Sequence, residues 1–351
     1  MRRPIFRGTQ ASALALLHRA EVLHLATTTP GGAPVLRALD GAVLPDGVYF
    51  HGARTGEKAL CMGRAAVVSA VELVAHLPSW MSHPTRACPA STLYRSVQVH
   101  GTLREVEAPA EKARALEALM QRWQPEGRYD PVDPADPQYQ GELSGTLVFA
   151  VPFESVDCKE KLLQNKEPEQ ILAILAGLWR RGQPGDVEAI EAVRAANPSV
   201  PAPPFLAADG VRLHAALPEE EIPAVEALLR DEYWWGPETA PLIAGAHRAA
   251  TAWVGAREPG GALVASARAM SDGKTAWIYD VVVASSHRGR GLGKRLMTLL
   301  LDHPAVRHAP AVMLATRDAQ GLYARFGFAD KAQEPKRWPT MTDMVLRRGR
   351  G

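Results

Sequence analysis

One stretch of the chain combines glycines and basic residues at a spacing that could bind a phosphate group. It is SSHRGRGLGKRLMTLLL, residues 285–301, and its four basic residues all fall within Arg288–Arg295. A Walker A loop requires Ser or Thr after its lysine, whereas Lys294 is followed by Arg295. The glycines at 289, 291 and 293 also lack the spacing of a dinucleotide-binding fingerprint.

The segments on either side of this turn predict how a phosphate would be held. The run WIYDVVV before the turn predicts a strand, and leucines at 292, 296, 299 and 300 predict one apolar helix face after it. A strand–turn–helix unit brings free backbone N–H groups and the positive end of a helix dipole to one point. Because glycines let a large anion approach the backbone closely, the natural guest is a pyrophosphate.

The turn resembles motif A of the GNAT acetyltransferase superfamily, Arg/Gln-x-x-Gly-x-Gly/Ala, and ATRDAQGLYARFGF, residues 315–328, resembles motif B. The resemblance covers about 210–348, and it implies a mixed α/β GNAT fold with acetyl-CoA as cosubstrate. The turn would hold the pyrophosphate, and the strand before it would pair with the pantetheine arm. The cofactor-binding residues implied are Val281, Val283, Arg288, Gly289, Gly291, Gly293 and Lys294.

Acetyl transfer to an amine needs a base for the amine proton and a group that stabilises or protonates the leaving thiolate. Tyr323 matches the family tyrosine that can donate this proton; a phenol of pKa about 10 suits a thiolate of pKa about 8.5. Asp280, in the strand before the turn, and Glu238, in the segment DEYWWGPE, are alternative candidates for the base. Asp318 stands where many family members carry Asn, which leaves the acceptor side open.

A second candidate phosphate site follows a strand-like run near the N-terminus. The stretch GVYFHGARTGEKALCM, residues 47–62, carries His51, Arg54, Thr55 and Lys58. It lacks the spacing of a Walker A loop and the Ser or Thr after the lysine. Its side chains could instead hold one phosphate monoester through charge-assisted hydrogen bonds.

This stretch resembles the FMN-binding split barrels of the pyridoxamine 5′-phosphate oxidase-like superfamily, particularly the nitroimidazole-reductase-like branch. TLYRSVQVHGTLREVE and CKEKLLQNK resemble further segments of these barrels, although Cys158 replaces a family glycine. The resemblance covers about 1–198 and implies FMN bound at a homodimer interface. It assigns Lys58 to the phosphate, His51 to the flavin or phosphate, Arg37 to the strand under the ring, Ser96 to the phosphate or ribityl chain, and Lys159 and Gln164 to a closing segment.

The elements that must position these residues fall into two groups. Four prolines between Pro198 and Pro204 predict a stiff, extended linker. Before it, short strands with turns at Pro30-Gly31-Gly32 and Pro45-Asp46-Gly47 predict an antiparallel barrel. Helices are predicted for Ser12–Arg19, Pro109–Trp123, Glu167–Trp179 and Gly185–Ala196, and after the linker for 219–233, 292–301 and a short segment in motif B; a last strand is predicted at 342–348.

We therefore predict an α+β chain of two domains: an FMN-binding type split β-barrel (1–198), a proline-rich linker (199–209) and a mixed α/β GNAT domain (210–351). With 351 residues the chain is long enough for two domains of ordinary size.

Composition narrows the function classes. A net charge of +2, without a basic stripe, disfavours a nucleic-acid partner. The three cysteines are far apart and predict no disulfide framework, and His76, His83 and Cys88 do not have a familiar zinc spacing, so no metal is predicted. Because no run reaches about 18 apolar residues, no membrane span is expected and the cytoplasm is the default location.

The leading interpretation is a fusion in which an acetyl-CoA-dependent N-acetyltransferase acting on a small amine is joined to an FMN-binding, oxidoreductase-like domain. The alternative belongs to a different class: a non-catalytic sensing or regulatory protein that binds flavin or haem and acetyl-CoA. Turnover of acetyl-CoA with amines, and reduction of a bound flavin by a nicotinamide cofactor, distinguish the two.

Overall fold

The computed structural model describes residues 3–333, whose contacts divide into two compact units. The described residues up to Ala207, together with His214–Ala216, form the first unit. Ala208–Leu213 and the described residues from Leu217 onward form the second.

The predicted linker, 199–209, remains a prediction as a linker, but part of it packs within the first unit. The ring of Phe205 stacks on Trp179, with 4.5 Å between the ring centroids. Leu206 is 1% exposed. The end of the proline-rich segment is therefore anchored by apolar contacts rather than by its prolines alone.

The strands of the first unit are β1 (Leu23–Thr28), β2 (Pro34–Leu39), β3 (Ala42–Leu44), β4 (Gly47–Gly52), β5 (Ala65–Leu77), β6 (Ser91–Thr102), β7 (Arg104–Glu105), β8 (Leu147–Pro152) and β9 (Ser155–Lys161). Its helices are α1 (Gln10–Arg19), α2 (Pro109–Trp123), α3 (Pro137–Gly145), α4 (Pro168–Arg181) and α5 (Asp186–Ala196).

These strands form two antiparallel sheets with the core between them, as in a split barrel. Their orders are β2-β1-β5-β6-β9 and β3-β4-β8-β7. Both predicted hairpin turns are confirmed, since they join β1 to β2 and β3 to β4. Phe50 of β4 and Phe149 of β8 stack in the core with 5.5 Å between ring centroids.

The second unit contains the first two residues of β10 (Arg212–His214), together with α6 (Ile222–Leu229), α7 (Ile243–Arg248), β11 (Ala252–Arg257), β12 (Leu263–Ser271), β13 (Thr275–Val283), α8 (Leu292–Asp302), β14 (Ala311–Met313) and α9 (Gln320–Ala324). The strands β10 to β14 form one sheet in the order β10-β11-β12-β13-β14, in which β13 and β14 are parallel. The predicted leucine face of α8 is confirmed, because all four leucines are at most 6% exposed. The two-domain α+β fold class is confirmed.

The structure differs from the sequence-based expectation at α3, at α7, which was not predicted, and at the predicted helix 219–233. Helix α3 was not expected, because its sequence, PQYQGELSG, contains two glycines and little apolar periodicity. The predicted helix 219–233 is shorter, since Glu219–Glu221 forms a 3-10 turn and α6 ends at Leu229. The strand predicted at 342–348 lies outside the described residues.

Within residues 3–333, no helix has both the length and the apolar character that crossing a bilayer requires.

Candidate functional site

The glycine turn of the second unit has a backbone that only glycine adopts without strain. Gly289 and Gly291 have φ values of 76° and 79°, in the left-handed region. Gly291 is the N-cap of α8, and no side chain caps this helix. The N–H groups of the first helical turn are therefore left for a ligand, where the helix dipole favours an anion.

A cavity of about 490 Å³ opens beside this helix start. It is lined by Ala208, Asp209, Gly210, Val211, His287, Arg290, Gly291, Leu292, Lys294, Arg295 and Thr298. Within residues 3–333, Arg290, Lys294 and Arg295 have no salt-bridge partner. Three cations without a salt bridge among the described residues thus line one cavity together with the free amides and a single carboxylate, that of Asp209, an arrangement that suits a polyphosphate. All three were noted in the sequence as basic residues of the turn, but only Lys294 was predicted to bind the cofactor.

Arg288 does not share this arrangement. Its guanidinium turns back toward β13, where Nε donates to the Val283 carbonyl oxygen over 2.9 Å and Nη2 donates to Glu232 Oε1. Binding of phosphate by Arg288 remains a prediction, but its side chain is engaged with the strand and with Glu232. The signal that finds this pair is not local, since the two residues are 56 positions apart.

Gly293, in the first turn of α8, lies between the end of β13 and α9. A Cβ at this position would meet Leu322 Cδ2 at 3.7 Å and Val283 Cγ2 at 3.8 Å. Tyr323, next to Leu322, is 8% exposed and packs edge-on against Phe328. Burial raises the pKa of Tyr323, and Tyr233 and Asp318 raise it further. Its phenol is therefore held in the protonated form that a proton donor needs.

Asp280 occupies a β-bulge between β12 and β13, where the register shifts between Ser266 and Arg268. Its φ is 52°, which is unusual for a residue with a side chain. Its Oδ2 accepts a hydrogen bond from Arg268 Nε over 2.6 Å, and both side chains are nearly buried. The bulge therefore aims the carboxylate at Arg268. Glu238, the other candidate base, lies exposed after α6.

The predicted phosphate loop of the first unit, Gly52–Lys58, gathers one group of the expected residues. Arg37, on β2, forms an ion pair with Glu57. The Lys58 Nζ lies 5.7 Å from the Phe149 ring centroid and beside Gly52. His51 is exposed at the end of β4. The loop thus carries cations within reach of solvent, one of which is already paired.

Arg54, in the middle of the same loop, is turned away from this group. Its Nη2 donates to Glu105 Oε1 over 2.9 Å, and Nη1 donates to the Ser144 carbonyl oxygen. Of the four side chains predicted to hold one phosphate, Arg54 is therefore engaged elsewhere, which leaves His51, Thr55 and Lys58.

Ser96 and Lys159 form a second group on the other side of the sheet. Ser96 of β6 lies opposite Val71 and Lys159 in register, and Val71 is 66% exposed. Lys159 Nζ donates to Tyr94 Oη over 2.5 Å. Arg37, by contrast, lies opposite Leu25, which is 1% exposed and faces the core. Since residues paired in register share a face, Arg37 and Ser96 leave opposite faces of the sheet.

Gln164 is engaged by its own chain. Its Oε1 accepts from the Leu162 N–H over 2.7 Å, and its Nε2 donates to the Glu160 carbonyl oxygen over 2.8 Å. The side chain closes the turn after β9, so its predicted cofactor contact is not prepared in this conformation. In the described part of the chain, no three His, Cys, Asp or Glu side chains converge as metal ligands.

Two family models match separate parts of the chain. Residues 9–160 match the pyridoxamine 5′-phosphate oxidase family, and residues 214–328 match the acetyltransferase (GNAT) family. The first match contains β1–β8 and most of β9, and the second contains the glycine turn and α9.

Individual relatives match shorter portions. Glucosamine 6-phosphate N-acetyltransferase 1 of Oryza sativa subsp. japonica is 38% identical over 60 residues, which is 17% of this chain and 36% of the rice protein. A solved structure assigned to the GNAT family, from Xanthomonas campestris pv. campestris, is 30% identical. It covers 39% of this chain and 93% of its own, with a TM-score of 0.33.

A solved structure assigned to 5-nitroimidazole antibiotic resistance, from Bacteroides thetaiotaomicron, is 17% identical. It covers 44% of this chain and 85% of its own, with a TM-score of 0.35. The two family matches and the observed fold agree on two domains, a split-barrel-like domain that includes residues 9–160 and a GNAT-type domain that includes residues 214–328.

Proposed function

We propose that the second domain transfers the acetyl group of acetyl-CoA to a small amine, and that the first domain binds FMN for an oxidoreductase reaction. The observation that carries the acetyl-CoA assignment is the pairing of an uncapped helix start at Gly291 with Arg290, Lys294 and Arg295 around one cavity. A diphosphate and a further phosphate in one ligand would use both the amides and the cations.

The reaction requires the acetyl thioester to lie near Gly293, where α8 approaches β13 and α9. The pantetheine arm would follow the backbone of Val281 and Val283. The amine nitrogen attacks the thioester carbon, the carbon–sulfur bond breaks, and Tyr323 donates its proton to the departing thiolate. Because burial raises the pKa of Tyr323, this donor stays protonated to a higher pH than a solvated phenol.

Asp280 is our proposal for the group that receives the amine proton. Its Oδ2 is bonded to Arg268, so Oδ1 is the oxygen that would accept the proton, directly or through a water molecule. The same pair would keep the carboxylate in a fixed orientation at the bulge. An acidic group beside the thioester also favours a cationic acceptor over an anionic one.

We place the FMN phosphate at the loop Gly52–Lys58, where Lys58 supplies positive charge and the neighbouring Arg37 is paired with Glu57. Bound FMN would supply hydride transfer, while the protein positions it and excludes competing reactions. Ser96 leaves the opposite face three strands from β2, and Lys159 leaves it four strands from β2; these are separations of about 14 Å and about 19 Å at ordinary strand spacing. One flavin could contact both groups only if they came from two copies of the chain.

A homodimer through this face is therefore part of the proposal. Leu36, Val71 and Leu73 are between 56% and 66% exposed on the face that also carries Ser96. Exposed aliphatic side chains grouped on one sheet face are typical of an interface. Burying them against a second copy would bring each loop Gly52–Lys58 toward a partner's Ser96 and Lys159.

Two measurements test the proposed function. Purified protein is incubated with acetyl-CoA and a panel of primary amines, and released thiol is measured; we expect turnover with at least one small amine. The absorbance spectrum is then recorded before and after addition of FMN and a nicotinamide cofactor; we expect a flavin spectrum that is bleached on reduction. Acetyl-CoA binding without turnover would instead support the regulatory alternative. A haem spectrum would show that the first domain binds haem rather than FMN.

A further inference from the structure

The gap between β13 and β14 is bridged by two consecutive residues of a distant segment. The two strands pair only where Thr275–Trp277 meets Ala311–Met313. Beyond that point the chain continues to Val283 on one side and to Arg317 on the other. The residues 231–235, which follow α6, contact both sides, and we call this segment the strap.

The first contact is on the β13 side. Arg288 Nη2 donates to Glu232 Oε1, while Arg288 Nε donates to the carbonyl oxygen of Val283. The Glu232 side chain is only 14% exposed, whereas that of Arg288 is 56% exposed. One guanidinium thus joins the strap to the end of the strand that leads into the glycine turn.

The second contact is on the β14 side. Tyr233 Oη accepts a hydrogen bond from the Arg317 backbone N–H over 2.9 Å, and the Arg317 guanidinium lies 3.8 Å from the Tyr233 ring centroid. Arg317 belongs to the turn that starts α9, where Thr316 Oγ1 accepts from the Ala319 N–H. The contact therefore fixes the turn that presents Tyr323.

The strap is anchored from behind by apolar packing. Trp234 and Trp235 are partly buried against the cluster that includes Ile222, Leu229 and Trp253. Tyr233 meets Trp234 edge-on, with 4.7 Å between ring centroids. Because the tryptophans hold the strap to the domain, Glu232 and Tyr233 are presented to the gap in a fixed relation.

From this geometry we propose that Glu232 and Tyr233 are positioning residues for acetyl transfer, which together set the distance between the glycine turn and Tyr323. The inference rests on the proposed acetyltransferase function. In this proposal Arg288 holds the strap against the end of β13 and is not a phosphate ligand. Release of acetyl-CoA then requires at least one of the two strap contacts to open.

The test uses the full chain and acetyl-CoA as the probe, because the acceptor is unidentified. Glu232→Gln removes the charge, and Tyr233→Phe removes the hydroxyl while keeping the ring over Arg317. For each variant we expect acetyl-CoA to dissociate about 10-fold faster, as loss of one charge-assisted or one neutral hydrogen bond allows, with an unchanged association rate. The double variant should be little faster than either single variant, since both contacts close the same strap.

A matched control is Glu219→Gln, which breaks the exposed Glu219–Arg248 pair in the same domain. This variant should dissociate acetyl-CoA at the wild-type rate. The pH dependence of turnover adds a readout that a purely structural role would not change. In Glu232→Gln, which keeps the Tyr233 hydroxyl that itself raises the pKa of Tyr323, the alkaline limb should move to lower pH, because an opened gap hydrates Tyr323 and lowers its raised pKa.

The outcomes separate this inference from the proposed function. If the wild-type protein does not bind acetyl-CoA, the proposed function and the inference both fail. If the wild type binds it and the strap variants dissociate at the wild-type rate, the inference alone is wrong. Tighter binding in Glu232→Gln would also overturn it, because Glu232 would then be competing with the cofactor for Arg288.

Discussion

The glycine turn of the second domain and the Gly52–Lys58 loop of the first are two candidate phosphate sites that are built in different ways. The turn relies on backbone N–H groups at the start of an 11-residue helix, and its three outward cations are unpaired among the described residues. The loop is followed only by a three-residue 3-10 turn, and its charges are partly neutralised by Glu57 and Glu105.

The two candidate sites differ in whether their proposed binding groups lie together within one chain. A site built on helix amides is formed as soon as the local segment folds, because the amides point outward by the helix geometry itself. A site built on side chains depends on what those side chains contact. Here the second group of residues, Ser96 and Lys159, lies on the far face of the sheet.

The largest expected effect comes from the backbone of the glycine turn. Gly291→Val forces a β-branched residue into φ 79° and disturbs the first helical amides. We expect acetyl-CoA affinity to fall on the order of 100-fold, as calorimetry would measure, because hydrogen bonds to a charged group are lost together. Gly245→Ala, inside α7 with open space around its Cα, is the matched control and should bind normally.

The next effect distinguishes the domains by pH. Burial, with Arg307, lowers the pKa of His303 in the second domain to about 4. The unfolded state therefore binds the extra proton between pH 6.5 and 4, so stability conferred by neutral His303 is present at pH 7 and lost as the pH falls. At pH 5 the loss is about 2 kcal/mol in the free energy of unfolding.

Calorimetric unfolding at pH 7 and pH 5 checks this expectation. His303→Asn should flatten the pH dependence of the transition that acetyl-CoA shifts, whereas the exposed His308→Asn should leave it as in the wild type. An equal pH dependence in all three proteins would show that another group controls acid unfolding.

In the loop Gly52–Lys58 we expect a smaller effect when one positive charge is removed. Lys58→Ala should weaken FMN binding about 10-fold, because one charge-assisted hydrogen bond to the phosphate is removed. Arg54→Ala, in the same loop but paired with Glu105, should change FMN affinity less than about 3-fold. Equilibrium titration with FMN fluorescence measures both, and the reverse ranking would place the phosphate nearer Arg54.

The smallest expected effect on FMN, a few-fold loss of affinity, concerns the predicted interface. Val71→Asp puts a charge into the exposed apolar face and should convert a dimer to a monomer, as light scattering would show. Val22→Asp, at an exposed position just before β1, should leave the dimer intact. A wild-type monomer that binds FMN tightly would refute the shared site.

Sequence periodicity predicted the elements better than it predicted the contacts between side chains. Helix α2 has the predicted bounds Pro109–Trp123, and the leucine face of α8 is buried as expected, because both depend on local repeats. The left-handed backbone at Gly289 and Gly291 was also predictable, since glycine is the residue that adopts a positive φ without strain.

The engaged state of Arg288 and Asp280 was not predictable in the same way. Glu232 reaches Arg288 across 56 positions, and Arg268 reaches Asp280 through a strand pairing that contains a bulge. Neither partner carries a signal in its own neighbourhood. The opposite facing of Arg37 and Ser96 likewise depends on register across four strands, which no single segment specifies.

The most direct test of the two-site account is calorimetric titration of acetyl-CoA into the wild-type chain, Gly291→Val and Lys58→Ala. The account predicts one acetyl-CoA per chain, binding to Lys58→Ala with wild-type affinity and severely weakened binding to Gly291→Val. Absence of binding to the wild type, or weakening by Lys58→Ala rather than by Gly291→Val, would contradict the assignment of acetyl-CoA to the glycine turn.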